Sequence, residues 1–223
     1  MAPDKKIPRE TLADLDAAKV VAGRPLVVVD CDEVIVEFAG HLARWLPALG
    51  YRLKLDQYEL EGAIYPENED IPLGFDAAVT LINAFFEEET KRQTPIDGAV
   101  AALERLSAEV QVVVLTNIPR HGRADRLINL RDLGLGHLPV IVNSGGKGRA
   151  LAWLGERVAA PMVFIDDSPF QIASAARHAE PTGRIHFRGA EHVREIDLKA
   201  QEADYVVEDW VTCEETVRRR LNL

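Results

Sequence analysis

Short runs of consecutive apolar residues punctuate the chain: PLVVVDC (25–31), QVVVLTN (111–117), LPVIVN (138–143), PMVFIDD (161–167) and DYVVED (204–209), with RIHF (184–187) as a weaker member. They are rich in Val and Ile and show little of the apolar–polar alternation of a half-exposed strand. Strands buried on both faces of a parallel sheet read this way. Between them, apolar residues recur at helical spacing in DGAVAALERLSAE (97–109), ADRLINLRDLG (124–134) and KGRALAWLGERVA (147–159). Ser168 and Gln171 have the spacing of a capping box, and Pro169 stands where a first helical residue would, so a further helix is expected directly after 161–167. From residue 96 onward strand and helix alternate, which predicts an α/β fold with a doubly wound, Rossmann-like parallel sheet.

One interval breaks the rhythm. About sixty residues separate the first strand from the helix at 97–109; 37–50 and 75–92 have helical character, and YPENEDIPLG (65–74) reads as a loop. The expected organisation is a small α-helical cap, 36–94, inserted into a core domain built from 1–35 and 95–223. Residues 37–94 hold eight of the fourteen aromatics: Phe38, Trp45, Tyr51, Tyr58, Tyr65, Phe75, Phe85 and Phe86. The same segment has eleven acidic and five basic residues, which is −6 of the chain's net −10. These aromatics either form the insertion's own core, or some of them face the carboxyl ends of the strands and pack on a ligand there.

Composition narrows the classes further. A chain of 223 residues is long enough for one core and a small insertion, and 47% hydrophobic with 28% charged residues is ordinary for a globular protein. The net negative charge repels nucleic acid and anionic membranes, so neither is an expected partner. The two cysteines, Cys31 and Cys213, are far apart and lack zinc spacing, and they suggest no disulfide framework. A reducing, cytoplasmic setting is expected. The N-terminal stretch has no apolar run of signal-peptide length, and no run approaches the ~18 apolar residues of a membrane span. Nothing in the pattern fixes an oligomeric state.

In open α/β sheets, ligands bind at the carboxyl ends of the strands. Those ends carry Asp30 and Asp32, then Thr116 and Asn117, then Asp166 and Asp167, with Lys147 at the start of a helix just beyond a fourth strand. Each has an ordinary reading. Asp and Thr-Asn favour turns, a lysine is usually solvated, and an acidic pair suits a helix N-terminus. Together they make a site for a divalent cation and a phosphoryl group. Carboxylates suit Mg²⁺, and Lys147 with helix N-terminal N–H groups would hold phosphate oxygens. SGGKG lacks the first Gly and the final Ser or Thr of a P-loop, since Ile141 and Gly148 stand there. His121 follows the second strand and is more readily a surface residue than a ligand contact.

The order of these elements resembles the haloacid dehalogenase (HAD) superfamily. VVVDCDEV matches its D-x-D motif, VVVLTN its Thr or Ser, NSGGKG its lysine, and VFIDDS its acidic pair. Pro95-Ile96-Asp97-Gly98 is similar to the family's return from an inserted cap. The resemblance spans about 25 to 210 and implies a Mg²⁺-dependent phosphatase acting on a small phosphorylated metabolite or nucleotide. It implies that Asp30 attacks phosphorus, forming an aspartyl phosphate. Asp32 serves as acid and then base, and its main-chain carbonyl ligates Mg²⁺. Thr116 and Asn117 contact the phosphate, Lys147 holds Asp30 and the phosphate together, and Asp166 ligates Mg²⁺ with Asp167 assisting.

The chain departs from the family at Glu33, where Gly is common. Three other readings compete. VVVDCDEVIVEF loosely resembles the opening of the family's deoxyribonucleotidases. A 2-haloacid dehalogenase would use the same scaffold, but its chemistry needs neither the acid Asp32 nor Mg²⁺. A non-enzymatic phospho-acceptor of the receiver type has its acidic pair before the acceptor, whereas here the pair comes last. Cys31 invites a cysteine nucleophile, but no His lies near it in sequence to activate it.

Overall fold

The computed structural model describes residues 6–55, 62–180, 182–190 and 200–223. Six strands form one parallel sheet: β1 (Leu26–Val29), β4 (Gln111–Thr116), β5 (Val140–Val142), β6 (Met162–Asp166), β7 (Gly183–Phe187) and β8 (Tyr205–Val207). All six coincide with the expected apolar runs. Their order is β5-β4-β1-β6-β7-β8. The chain therefore lays down β4 and β5 on one side of β1 and then crosses back to place β6, β7 and β8 on the other. That reversal beside β1 is the switch point where doubly wound sheets open a crevice.

The lack of alternation in the strands has a simple cause, because both faces are covered. Val27, Val29, Val112, Val114, Val163 and Ile165 point to one face, against α4 (Ala99–Glu109), α5 (Arg123–Asp132) and α8 (Trp210–Leu221). Leu26, Val28, Val113, Leu115, Met162 and Phe164 point to the other, against α1 (Arg9–Ala17), α6 (Gly148–Val158) and α7 (Pro169–His178). Helices α1 and α8 were not anticipated from the pattern. Helix α1 lies on the edge strand β5. Thr11 Oγ1 donates to the Val142 carbonyl at 2.9 Å, and Asp14 accepts from the Val142 N–H at 3.0 Å. The exposed polar edge of the sheet is thereby partly satisfied.

The insertion between β1 and α4 contains α2 (Ala39–Trp45), a 3₁₀ turn (46–49), the antiparallel pair β2 (Tyr51–Leu53) and β3 (Ile64–Pro66), and α3 (Phe75–Glu89). It is therefore not purely helical. Three-residue strands are too short to show a period, and Gly50 at φ +80° turns the chain into the first of them. Phe85 is fully buried among Phe38, His41, Trp45 and Phe86, at ring-centroid distances of 5.4, 5.4, 5.6 and 5.8 Å. These aromatics form a core of the insertion that also packs on Ile118 and Val142. Phe75 is exposed, and Tyr58 lies outside the described residues. Among the described residues, no helix is long and apolar enough to cross a membrane.

Candidate active site

Val29 pairs with Ile165, so Asp30 and Asp166 leave the sheet side by side at the ends of β1 and β6. The Asp30 N–H donates to the Ile165 carbonyl at 2.9 Å, continuing the ladder one step. Asp30, Asp166 and Asp167 each place a carboxylate oxygen within 4.8 Å of the other two, and all three are buried. Lys147 Nζ sits between two of them, 2.6 Å from Asp30 Oδ1 and 2.7 Å from Asp166 Oδ2. The Cys31 N–H also uses Asp30 Oδ1, at 2.7 Å, so Oδ2 takes neither of these bonds. Asp166 Oδ1 accepts from the Ser168 N–H at 2.9 Å. His186, beside Asp166 on β7, bonds through Nε2 to the Asp167 carbonyl at 2.9 Å. A carbonyl can only accept, so Nε2 is the donor, and burial holds that imidazole below its usual pKa.

The electrostatics follow from burial. Among the described residues, Lys147 lies between Asp30 and Asp166, and Arg126 pairs with Asp32. Burial pushes the Asp30 carboxyl up to about 7, with Lys147 pulling the other way and Asp166 adding to the rise. Asp166 is raised for the same reason, again against Lys147. Burial alone would lower Lys147, but Asp166 and Asp30 more than offset it and hold the ammonium above its usual range. The donor set is three carboxylates with no His and no thiolate, which suits a hard dication such as Mg²⁺. The residues present fit the cation.

The loop carrying Lys147 is fixed by polar side chains. Asn117 Nδ2 donates to the Gly145 carbonyl at 2.8 Å, and Asn117 Oδ1 accepts from Asn143 Nδ2 at 3.1 Å. Gln171 accepts from the Lys147 N–H at 2.8 Å and donates to the Gly145 carbonyl at 3.2 Å. The Gly148 N–H donates to Ser174 Oγ at 3.0 Å. A Cβ at Gly148 would lie 2.0 Å from the Ser174 carbonyl oxygen, so only glycine lets α6 start this close to α7. Two expectations change here. Helix α7 does begin at Pro169, but Ser168 makes no side-chain cap and Gln171 is committed to the lysine loop, so the capping box is not formed. The first N–H groups of α6 are spent on Gln171 and Ser174 and are not offered to a phosphate.

Thr116 ends β4, buried, with Oγ1 accepting from the Ile118 N–H at 3.3 Å. Its hydroxyl proton remains available to donate. Cys31 is buried and its thiol is pushed up to about 12 by burial, so it is not a thiolate nucleophile. His121 Nε2 lies 3.7 Å from Glu87 of α3, at the surface.

Asp32 stands apart from the three-carboxylate group. Its Oδ1 accepts from Arg126 Nη2 at 2.6 Å and from Gln93 Nε2 at 3.0 Å, and its Oδ2 takes neither of these bonds. Glu33 takes the left-handed conformation, φ +61°, that the usual glycine would adopt at a cost near zero and other residues at about 1–2 kcal/mol. Its Oε1 accepts from the N–H groups of Phe38, at 2.9 Å, and of Ala39. Those bonds cap α2, and burial holds the Glu33 carboxyl up at about 7 despite them. Arg126, Gln93 and the capping role of Glu33 were missed in the sequence. Only Arg126 carried a signal, as a charged residue one turn before Leu130 on the buried face of α5.

No family model matches the chain, and no curated protein matches it. Solved structures do. A conserved haloacid dehalogenase-like protein of unknown function from Agrobacterium tumefaciens is 21% identical with a TM-score of 0.60, covering 88% of this chain and 99% of that one. A HAD family hydrolase from Deinococcus radiodurans, solved with bound phosphate and sodium, is 18% identical with a TM-score of 0.60, covering 91% and 97%. A HAD hydrolase from Bacillus subtilis, solved with magnesium, is 17% identical with a TM-score of 0.56, covering 90% and 99%. The strand order, the switch point at β1 and these similarities agree: the chain has the fold of the haloacid dehalogenase-like hydrolases.

Proposed function

We propose that this protein is a HAD-type, Mg²⁺-dependent hydrolase that removes phosphate from a small-molecule phosphate monoester. The observation that carries the reading is Lys147 Nζ lodged between Asp30 and Asp166, within a buried group of three carboxylates at the carboxyl ends of β1 and β6. The Deinococcus and Bacillus structures, with phosphate and with magnesium, support the same chemistry on this fold.

Asp30, Asp166 and Asp167, with the Asp32 carbonyl, would hold the cation. Bound there, Mg²⁺ supplies charge neutralisation at the phosphoryl oxygens. Asp30 attacks phosphorus as the ester P–O bond breaks, giving an aspartyl phosphate. Asp32 gives its proton to the departing oxygen. Asp32 then takes a proton from water as the water oxygen attacks phosphorus, which releases inorganic phosphate and restores Asp30. Thr116 donates to a phosphoryl oxygen. Lys147 answers a specific difficulty: a carboxylate approaching a phosphate meets like charge, at about 4 kcal/mol per unit pair for ~4 Å and an effective dielectric of ~20.

The test is a panel of phosphate monoesters, including sugar phosphates and deoxyribonucleoside monophosphates, assayed with Mg²⁺ for released phosphate. At least one ester is turned over by the wild type and by no D30N preparation. Release from none of them, or equal release by D30N, contradicts the reading.

A further inference from the structure

Arg126 has no side-chain exposure and no place in the reaction above. Its Nη2 donates to Asp32 Oδ1 at 2.6 Å and to Gln93 Oε1 at 2.7 Å, and its Nη1 donates to Asn129 Oδ1 at 3.0 Å. Gln93 completes the ring: its Nε2 donates both to Asp32 Oδ1, at 3.0 Å, and to the Glu37 carbonyl, at 2.9 Å. Asn129 donates to the Gln93 carbonyl at 2.9 Å. The two connections between insertion and sheet run together here, with the Glu37 N–H donating to the Thr94 carbonyl at 2.9 Å and the Ile96 N–H to the Ile35 carbonyl at 2.9 Å. One buried guanidinium thus joins α5, both connections and the carboxylate of Asp32.

A buried ion pair is weak as a stability device, because desolvation offsets most of the attraction. Here the cost is visible, since Arg126 Nε is buried without a hydrogen-bond partner in the structure. What the arrangement does secure is geometry. A planar fork bound at two amides and one carboxylate has a single orientation, and Asp32 Oδ1, held by two donors on different elements, is held with it. We propose that Arg126 and Gln93 are positioning residues for Asp32, fixing the acid–base carboxylate against the two connections that carry the insertion. This rests on the phosphatase reading for the role of Asp32, and on the hydrogen-bond geometry alone for the clamp.

The test compares R126K and Q93M on two esters, an aryl phosphate whose phenolate leaves without a proton and an alkyl phosphate whose alkoxide needs one. Lysine keeps the charge but cannot serve Asp32, Gln93 and Asn129 together. Methionine removes the Gln93 bonds without burying a new charge, and so keeps the test open should R126K fail to fold. General acid–base catalysis contributes roughly 10²–10⁴-fold, so a misplaced Asp32 should cost about 10-fold or more on the alkyl ester and under about 3-fold on the aryl ester. In a D32N background Q93M should add less than about 2-fold, because its effect passes through Asp32. Equal losses on both esters, or a further loss in D32N, would mark a merely structural role and overturn the proposal. A crystal structure of Q93M gives an arm independent of turnover. Asp32 Oδ1 should leave its place beside Arg126 or occupy several positions, and an unmoved Asp32 overturns the clamp. A wild type inactive on both esters refutes the phosphatase reading, and the crystal arm then decides the clamp alone.

Discussion

The rim of the sheet and the insertion above it treat charge and aromaticity in opposite ways. At the rim, Asp30, Asp166, Asp167 and Lys147 are buried, their charges set against one another by strands that end side by side. In the insertion, Phe38, Phe85 and Phe86 are buried, while Glu67, Glu69, Asp70, Glu87 and Glu88 are exposed. Buried charge is costly unless paired, and the cost is accepted where chemistry needs it. Exposed charge is cheap and changes little. The contrast fits the chemistry proposed at the rim, and it favours the plainer reading of the insertion's aromatics, in which Phe38, Trp45, Phe85 and Phe86 fill its core.

Substitutions can break this contrast, in descending order of effect. At the rim, K147M should leave the fold intact by circular dichroism and reduce phosphate release by at least ~10²–10³-fold, the scale of losing one electrostatic stabiliser of the transition state. A smaller loss would move the reactive centre elsewhere. In the insertion, F85A should cost about 3–5 kcal/mol of stability by denaturant unfolding, as large-to-small changes of a buried Phe do. Loss of ester binding without loss of stability would instead make Phe85 a ligand contact.

Glu33 links the two regions and predicts a pH effect. Its carboxyl is held up at about 7 in the folded protein, against an ordinary value of 4.5, because it is buried. The folded state therefore binds this proton more tightly than the unfolded chain. The stabilisation is complete below about 4.5 and is lost as pH rises through about 7. E33Q keeps the single oxygen that both the Phe38 and Ala39 N–H groups use but cannot ionise. Between pH ~5 and ~8 the wild type should lose about 1–3 kcal/mol more than E33Q. The raised pKa values of Asp30 and Asp166 act equally in both proteins and cancel in the comparison. Parallel pH profiles would mean that Glu33 is ionised throughout. Smallest of all, R44A removes a pair with Glu37 at 2.9 Å whose side chains are 60% and 42% exposed, and should shift stability by less than about 0.5 kcal/mol.

The same contrast explains what could be read from the residues. Strands covered on both faces are continuous apolar runs, so β1, β4, β5 and β6 were legible, and the edge strand β8 was legible as a short apolar run although Val206 is exposed; the strand ends pointed to Asp30, Thr116, Lys147, Asp166 and Asp167. Local spacing also suggested a capping box at Ser168 and Gln171. There the tertiary demand of the Lys147 loop took Gln171 away. The β2–β3 pair left no trace, since Ile64, Tyr51 and Leu53 join the apolar cluster of the insertion and the strands are too short for a period of their own. The Arg126–Asp32 and Gln93–Asp32 bonds join residues 94 and 61 positions apart, and no local pattern encodes such a meeting.

The central claim is that buried carboxylates at the ends of β1 and β6 work with a divalent cation. It is tested most directly by hydrolysis of an aryl phosphate by wild type and D30N, in excess chelator and after adding back Mg²⁺. The account predicts no phosphate release by the chelated wild type, restoration by Mg²⁺, and no release by D30N under either condition. Full release in chelator, or Mg²⁺-dependent release by D30N, would contradict it.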